Sequence, residues 1–267
     1  MLNLVFGVPA DISDHLIAHH HTRMVAFTGS TAVGRHLMGL AARHVKPVLM
    51  ELGGHAPAIV CDDVDAAVAG TLCAIRKVRN AGQVCTSPIR FFVQDAVFDA
   101  FVAAFVNAAK AIVVGNGTDP ATGMGPLANH RRVEALQALS DDAVARGARL
   151  MAGGHRIGQR GYFFAPTVLT EAPADARVMH EEPFGPMAVI NRIGSVDEGI
   201  QAANALPFGL AAYGLTHSAA NVDRMLDGIE AGNLSINTLE ASVPETPFGD
   251  LIPTAHSCDL CPLSLGD

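Results

Sequence analysis

The sequence has no basic run. Lys and Arg are scattered, charged residues make up only 16%, and the formal net charge is −8. A broad electrostatic attraction to nucleic acid is therefore not expected. No apolar stretch approaches the ~18 residues of a membrane-spanning helix. The N-terminus lacks a charged region followed by a long apolar run. The five cysteines, Cys61, Cys73, Cys85, Cys258 and Cys261, show no framework spacing. Reduced thiols in a cytoplasmic protein are expected instead. Internal repeats, low-complexity segments, the GxGxxG fingerprint and the Walker pattern are all missing. What remains is a chain of 267 residues, 49% hydrophobic. That is enough for one large domain or two small ones with a packed core.

Short apolar runs alternate with amphipathic stretches. Residues 1–9 read as a strand closed by a Gly and Pro turn. A helix follows over 11–21, with Asp11, Ser13 and Asp14 as candidate caps. His15, His19, His20 and His21 cluster there, but no carboxylate or cysteine is placed to complete a metal site, so none is assigned. Strands are expected at 24–28, 46–51 and 56–61. The helix between the first two turns Val33, Leu37, Leu40, Ala41 and His44 to one face. The helix over 64–78 is expected to bury Val64, Val68, Thr71, Leu72 and Ile75, with Arg76, Lys77 and Arg79 suiting its dipole. Cys61 and Cys73 read as small core residues. Further on come a strand at 89–94, a helix burying Phe98, Phe101, Val102 and Phe105, and a polar helix over 129–146. Strands at 148–151, 187–191, 211–216 and 233–236 alternate with helices at 196–206 and 219–228. This order predicts an α/β protein with an open, largely parallel sheet.

Three stretches carry chemistry. Thr28-Gly29-Ser30 to Gly34 joins a strand to a helix. Free backbone N–H groups at that helix start, with the macrodipole, suit a pyrophosphate. Glu51 ends the next strand, and Leu52-Gly53-Gly54 bends immediately after it. Cys85 lies in Asn80-Ala81-Gly82-Gln83-Val84-Cys85, 34 positions after Glu51, and offers a nucleophile beside a carboxylate. A fourth stretch, Glu181-Glu182-Pro183-Phe184-Gly185-Pro186, is a proline-stiffened loop with the features of a binding loop.

FTGSTAVG at 27–34, MELGG at 50–54, NAGQVC at 80–85, EEPFGP at 181–186 and LSINTLEASVPETPFG at 234–249 together resemble the NAD(P)-dependent aldehyde dehydrogenase superfamily, in its C-terminal portion. The likeness runs from the first residues to about Gly249. It implies open parallel sheets: residues 1–52 as part of an incomplete NAD(P)-binding domain and 53–249 as the catalytic domain. It implies Cys85 as the nucleophile that forms a thiohemiacetal and then a thioester, and Glu51 as the general base. It implies cofactor contacts from Thr28, Gly29, Ser30, Gly34, Leu52, Glu182 and Phe184, with NAD favoured over NADP. The substrate is then a small-molecule aldehyde. The stretches 80–88 and 234–249 are reminiscent of semialdehyde dehydrogenases such as those acting on succinate semialdehyde.

The sequence also departs from that pattern. The family's long N-terminal portion has no counterpart here, so adenosine contacts and half of the oxyanion hole are expected to be missing. After Gly249 the residues 250–267 do not follow the family pattern and are expected to be an unstructured tail. The family forms homo-oligomers, and its C-terminal oligomerisation segment is expected to be lost. The chain therefore reads as truncated, with most of the catalytic apparatus but little activity alone. The alternative is a non-catalytic degenerate fragment, or half of a split enzyme. A third reading, an acyltransferase, needs a histidine partner for Cys85 and leaves Glu182 and the Gly29 turn without a role.

Overall fold

The short apolar runs become mostly parallel strands, and the amphipathic stretches between them become helices. The computed structural model describes residues 2–244, 246, 248, 249, 258 and 259. The helices are α1 (Pro9–Ala18), α2 (Thr31–Arg43), α3 (Ala66–Lys77), α4 (Asp95–Ala111), α5 (His130–Ala145), α6 (Val196–Ala203) and α7 (Ala219–Gly228). The strands β1 (Val25–Thr28) and β2 (Val48–Glu51) form a parallel pair, with Thr28 opposite Glu51. Seven more form one sheet: β3 (Pro57–Val60), β4 (Arg90–Gln94), β5 (Arg149–Ala152), β6 (Thr167–Thr170), β7 (Met187–Ile193), β8 (Ala211–Leu215) and β9 (Asn233–Ile236). Their spatial order is β5-β6-β7-β4-β3-β8-β9, and only the β5–β6 pair is antiparallel.

The period of two along a strand divides the core. Ala58, Val60, Phe91 and Val93 face α3 and α4. Ile59, Cys61 and Phe92 face the opposite side, where α6 and α7 pack. Both faces are covered, so β3, β4 and β8 read as nearly continuous apolar runs. Phe98, Phe101, Val102 and Phe105 of α4 are buried as expected, each contributing about 1.5–3 kcal/mol relative to exposure. Cys61 and Cys73 are fully buried core residues.

Three expectations fail. Residues 2–8 form no strand; Leu2, Leu4 and Phe6 stand exposed, and Pro9 starts α1 in its first turn with Val8 as a cap that makes no side-chain bond. Proline's fixed φ suits that position, so Asp11, Ser13 and Asp14 fall inside the helix instead of capping it. On α2, Leu37 and Ala41 are buried as expected, but Val33 is exposed. On α3 the face is rotated. Val68 and Ile75 are exposed, while Ala69, Gly70, Cys73, Ala74 and Lys77 are buried. The cause is close approach to α4: a Cβ on Gly70 would sit 2.5 Å from the Phe101 carbonyl oxygen. Small residues win that face because they admit the neighbouring backbone. The expectation for 250–267 falls outside the described residues, except Cys258 and Asp259, which pair antiparallel with Gly249 and Phe248.

Candidate active site

Four loops converge on one cavity of about 780 Å³. The first follows β1. Ser30 caps α2 by accepting the Val33 N–H, and the Gly29 N–H donates to the Glu51 carbonyl at 3.0 Å. That bond and the β1–β2 register place the phosphate-type turn beside the carboxylate of β2. The second loop is Leu52-Gly53-Gly54. Gly54 lies against the Cys85 backbone, where an added Cβ would be 2.6 Å from the carbonyl oxygen. Gly53 lies against the Glu182 carboxylate, and the Gly54 N–H donates to Glu182 Oε1 at 3.2 Å. Two adjacent glycines thus let the nucleophile loop and the Glu182 loop approach the same bend.

The third loop carries Cys85. Asn80, Ala81 and Gly82 have φ of 50°, 52° and 69°, all left-handed, and only Gly82 adopts that region without cost. A Cβ at Gly82 would collide with the Gly185 carbonyl, which locks this loop to the fourth. The turn after Cys85 closes through Ser87 N–H to the Val84 carbonyl at 2.9 Å. Tyr213 of β8 pins it from beyond, its hydroxyl donating to the Thr86 carbonyl at 2.6 Å. Burial pushes the Cys85 thiol above its ordinary value, and the charges of Glu51 and Glu182 push it further. The resting group at neutral pH is a thiol, so a neighbouring base is needed for attack.

The fourth loop divides its two acids. Glu181 turns outward to Arg177 at 2.7 Å. Glu182 turns inward, and burial pushes it up to about 7 against the opposing pull of the Gly54 N–H, Lys77 and Arg132. Phe184 sits at φ 41°, a strained position for an aromatic residue, worth about 1–3 kcal/mol. The Arg132 guanidinium reaches the Pro183 carbonyl at 3.4 Å.

Thr28, Gly29, Ser30, Glu51, Leu52, Cys85, Glu182 and Phe184 all line the cavity. Gly34 does not. It is buried on α2 against Leu52, where a Cβ would lie 2.5 Å from the side chain, so its part is to seat the helix. Sequence reasoning missed Arg131 and Arg132, which also line the cavity. Three basic residues, His130, Arg131 and Arg132, at the start of an otherwise mixed helix were the available signal. It also missed the buried groups behind the site. His55, pushed down to about 3 by burial and then by Arg90, holds the Val178 carbonyl at 3.0 Å. Arg90 donates to the carbonyls of His55, Ala202 and Ala203.

Comparison with known proteins gives this arrangement a context. Residues 1–250 match the aldehyde dehydrogenase family. A 4-(hydroxymethyl)benzenesulfonate dehydrogenase of Comamonas testosteroni is 48% identical over 97% of this chain and 54% of its own length. A 3-sulfolactaldehyde dehydrogenase of Pseudomonas putida is 41% identical over 93% and 51%. The crystal structure of succinate-semialdehyde dehydrogenase from Burkholderia pseudomallei superposes with a TM-score of 0.90 at 41% identity, over 94% of this chain and 52% of that one. The chain spans about half the length of the relatives it matches. With a family match over nearly its whole length and the same α/β fold, the chain belongs to the aldehyde dehydrogenase family.

Proposed function

We propose that this chain contributes the catalytic half of an NAD(P)-dependent oxidation of an aldehyde to its carboxylic acid. The observation that carries the reading is the Gly53-Gly54 bend. It brings the Glu51 strand end, the Cys85 loop and the Glu182 carboxylate onto one cavity. The cavity would also take the pyrophosphate and nicotinamide end of a dinucleotide. The capped start of α2 offers N–H groups to a pyrophosphate, and the half-buried Glu182 offers a carboxylate to ribose hydroxyls, with Thr28, Leu52 and Phe184 around the reactive ring.

Cys85 Sγ adds to the aldehyde carbon, and Glu51 takes the thiol proton that its raised affinity would otherwise keep. The Cys85 N–H, at the alkoxide that forms, stabilises the tetrahedral adduct. The chemistry a nicotinamide dinucleotide supplies when bound is acceptance of the hydride, which leaves a thioester on Cys85. Glu51 passes the first proton to solvent and then takes one from water; the hydroxide adds to the thioester, the Cys85 thiolate leaves as the carboxylic acid forms, and the thiolate recovers a proton from Glu51.

The substrate class follows from a second recess beside Thr86 and Ser87, where Arg76 and Arg79 lie next to Tyr213. Arg76 is paired with Glu240 at 2.6 Å. Arg79 is exposed and makes no ion pair among the described residues. The recess is small, about 20 Å³, so the anionic tail of an aldehyde, carboxylate or sulfonate, would meet the exposed Arg79 guanidinium at the rim of the recess. The relatives named for a benzenesulfonate, a sulfolactaldehyde and a succinate semialdehyde agree with such a substrate. The test incubates purified protein with NAD or NADP and a panel of neutral and anionic aldehydes. Reduced cofactor should appear, cease in Cys85→Ala, and lose its preference for anionic aldehydes in Arg79→Met. Failure of every aldehyde, with the fold intact, removes catalysis by this chain alone, as the expected truncation implies, and leaves the degenerate-fragment or split-enzyme alternative; a Cys85 that also fails to hydrolyse an activated ester sinks the catalytic reading.

A further inference from the structure

Lys77 ends α3 with only 2% of its surface exposed. Its ammonium donates to Ser87 Oγ at 3.0 Å. Ser87 is two residues beyond Cys85 and closes the turn that carries it. The Glu182 carboxylate acts on Lys77 through space, and Lys77 acts on Glu182 in the same way. The buried lysine is therefore bonded to the nucleophile loop and electrostatically coupled to the loop that carries Glu182. Its neighbours are few. Ser87 accepts its hydrogen bond from the turn before β4; Glu182 of the 181–186 loop and His55 of the bend before β3 are coupled to it by charge. Glu182 itself faces Gly54 N–H, Lys77 and Arg132 of α5.

Burial works against this ammonium and pulls it down to about 7. A methionine of similar length would fill the space without desolvating a charge. A purely space-filling role does not explain a lysine here. We propose that Lys77 is a positioning residue of the active site, orienting the Cys85 turn through Ser87 and serving as countercharge to the Glu182 carboxylate. The idea deepens the proposed oxidation and rests on it for the meaning of both loops. Loss of the charge leaves Glu182 without its principal buried cation, and its proton is then held to higher pH. Loss of the hydrogen bond frees the Cys85 turn on one side, while Tyr213 still holds the other.

The test reads each arm without needing an aldehyde or a dinucleotide. Carbon-13 NMR of glutamate-labelled protein follows the Glu182 carboxyl through a pH titration, its signal assigned with Glu182→Gln. Hydrolysis of an activated ester follows the Cys85 turn, with Cys85→Ala as the blank. Lys77→Met should raise the Glu182 midpoint by about one pH unit and slow ester hydrolysis about tenfold. Lys77→Gln keeps a donor to Ser87 without charge; it should raise the midpoint equally and spare most of the hydrolysis. Lys77→Arg should hold the midpoint. Ser87→Ala should slow hydrolysis and leave the midpoint in place. If Lys77→Met fails to fold, Lys77→Gln and Ser87→Ala still separate the two arms. A Glu182 midpoint unmoved in a folded Lys77→Gln or Lys77→Met protein overturns the countercharge. Ester hydrolysis unmoved in Ser87→Ala overturns the positioning arm. Failure of aldehyde oxidation with both readouts behaving as expected would remove the proposed reaction and leave Lys77's role standing.

Discussion

Gly54→Ala tests the geometry most directly. The new Cβ would sit 2.6 Å from the Cys85 carbonyl oxygen, whereas ordinary contact begins at 3.4 Å. The difference is about 0.8 Å, and the blocking atom is backbone, so no rotamer change relieves it. Either the Cys85 turn or the Gly53-Gly54 bend must give way. The bend is fixed by the Gly54 N–H bond to Glu182 and by Gly53 against the same carboxylate. The turn is fixed by Tyr213 and Lys77. Displacement of a reacting group by about 1 Å costs on the order of 10²-fold in rate, and overpacking costs about 1–3 kcal/mol in stability. Cys85-dependent ester hydrolysis should therefore fall about a hundredfold, and the melting temperature should drop by roughly 2–10 °C. Gly39→Ala is the control. Gly39 lies exposed on α2 with nothing near an added Cβ, so that change should raise stability by about 0.4–1 kcal/mol and leave hydrolysis alone. A Gly54→Ala protein with wild-type hydrolysis and melting would refute the argument that this bend sets the nucleophile's position.

On the proposed mechanism, Glu51→Gln should slow turnover by about 10²–10⁴-fold, measured as reduced cofactor, because both the attack of Cys85 and the hydrolysis of the thioester lose their base. The native Glu182 carboxyl is raised from an ordinary 4.5 to about 7, so between those values the folded protein holds the extra proton and stability falls as pH rises. Glu182→Gln should flatten that fall; an unchanged slope in urea unfolding across the window counts against the burial of this group. Arg90→Met leaves the carbonyls of His55, Ala202 and Ala203 without their donor. The loss should be about 2–4 kcal/mol by urea unfolding, and a change under 0.5 kcal/mol would show that other donors replace it.

The sheet was largely legible because apolar runs of the right length, bounded by Gly and Pro, have few other uses in a chain of this composition. β1, β2 and β9 fall where the pattern puts them, and the phenylalanine face of α4 is buried as its spacing requires. The face of α3 was not legible. Periodicity points large residues inward, but Gly70 meets the α4 backbone and takes the inner side. Residues 2–8 show the complementary error: an apolar run makes a strand only beside a partner, and none lies there among the described residues. The motif residues other than Gly34 come together on one cavity, while Gly34 packs against Leu52. Arg132 and Tyr213 escaped notice, and Lys77 reads in the sequence only as a cation suiting the helix dipole, because their importance comes from partners that spacing does not reveal. Ser87, Glu182 and Thr86 become their neighbours only when the chain folds.

The left-handed run Asn80-Ala81-Gly82 has a consequence for the order in which the protein assembles. Ala81 does not stay in that conformation unaided, since the region costs roughly 1–2 kcal/mol for such a residue. What holds the loop comes from far along the chain: the Gly185 backbone, and Tyr213, whose partner Thr86 is 127 positions away. Contacts of that span form only after long loops have closed. The turn bearing Cys85 is therefore expected to settle late in folding, after the pairing of β3 and β4, between which it lies in sequence. Until then its thiol titrates as an ordinary cysteine, and completion of the fold quiets it. A pulse of alkylating agent during refolding should label Cys85 readily at first and more slowly in the final phase, when the sheet is already formed and the thiol holds its proton more tightly.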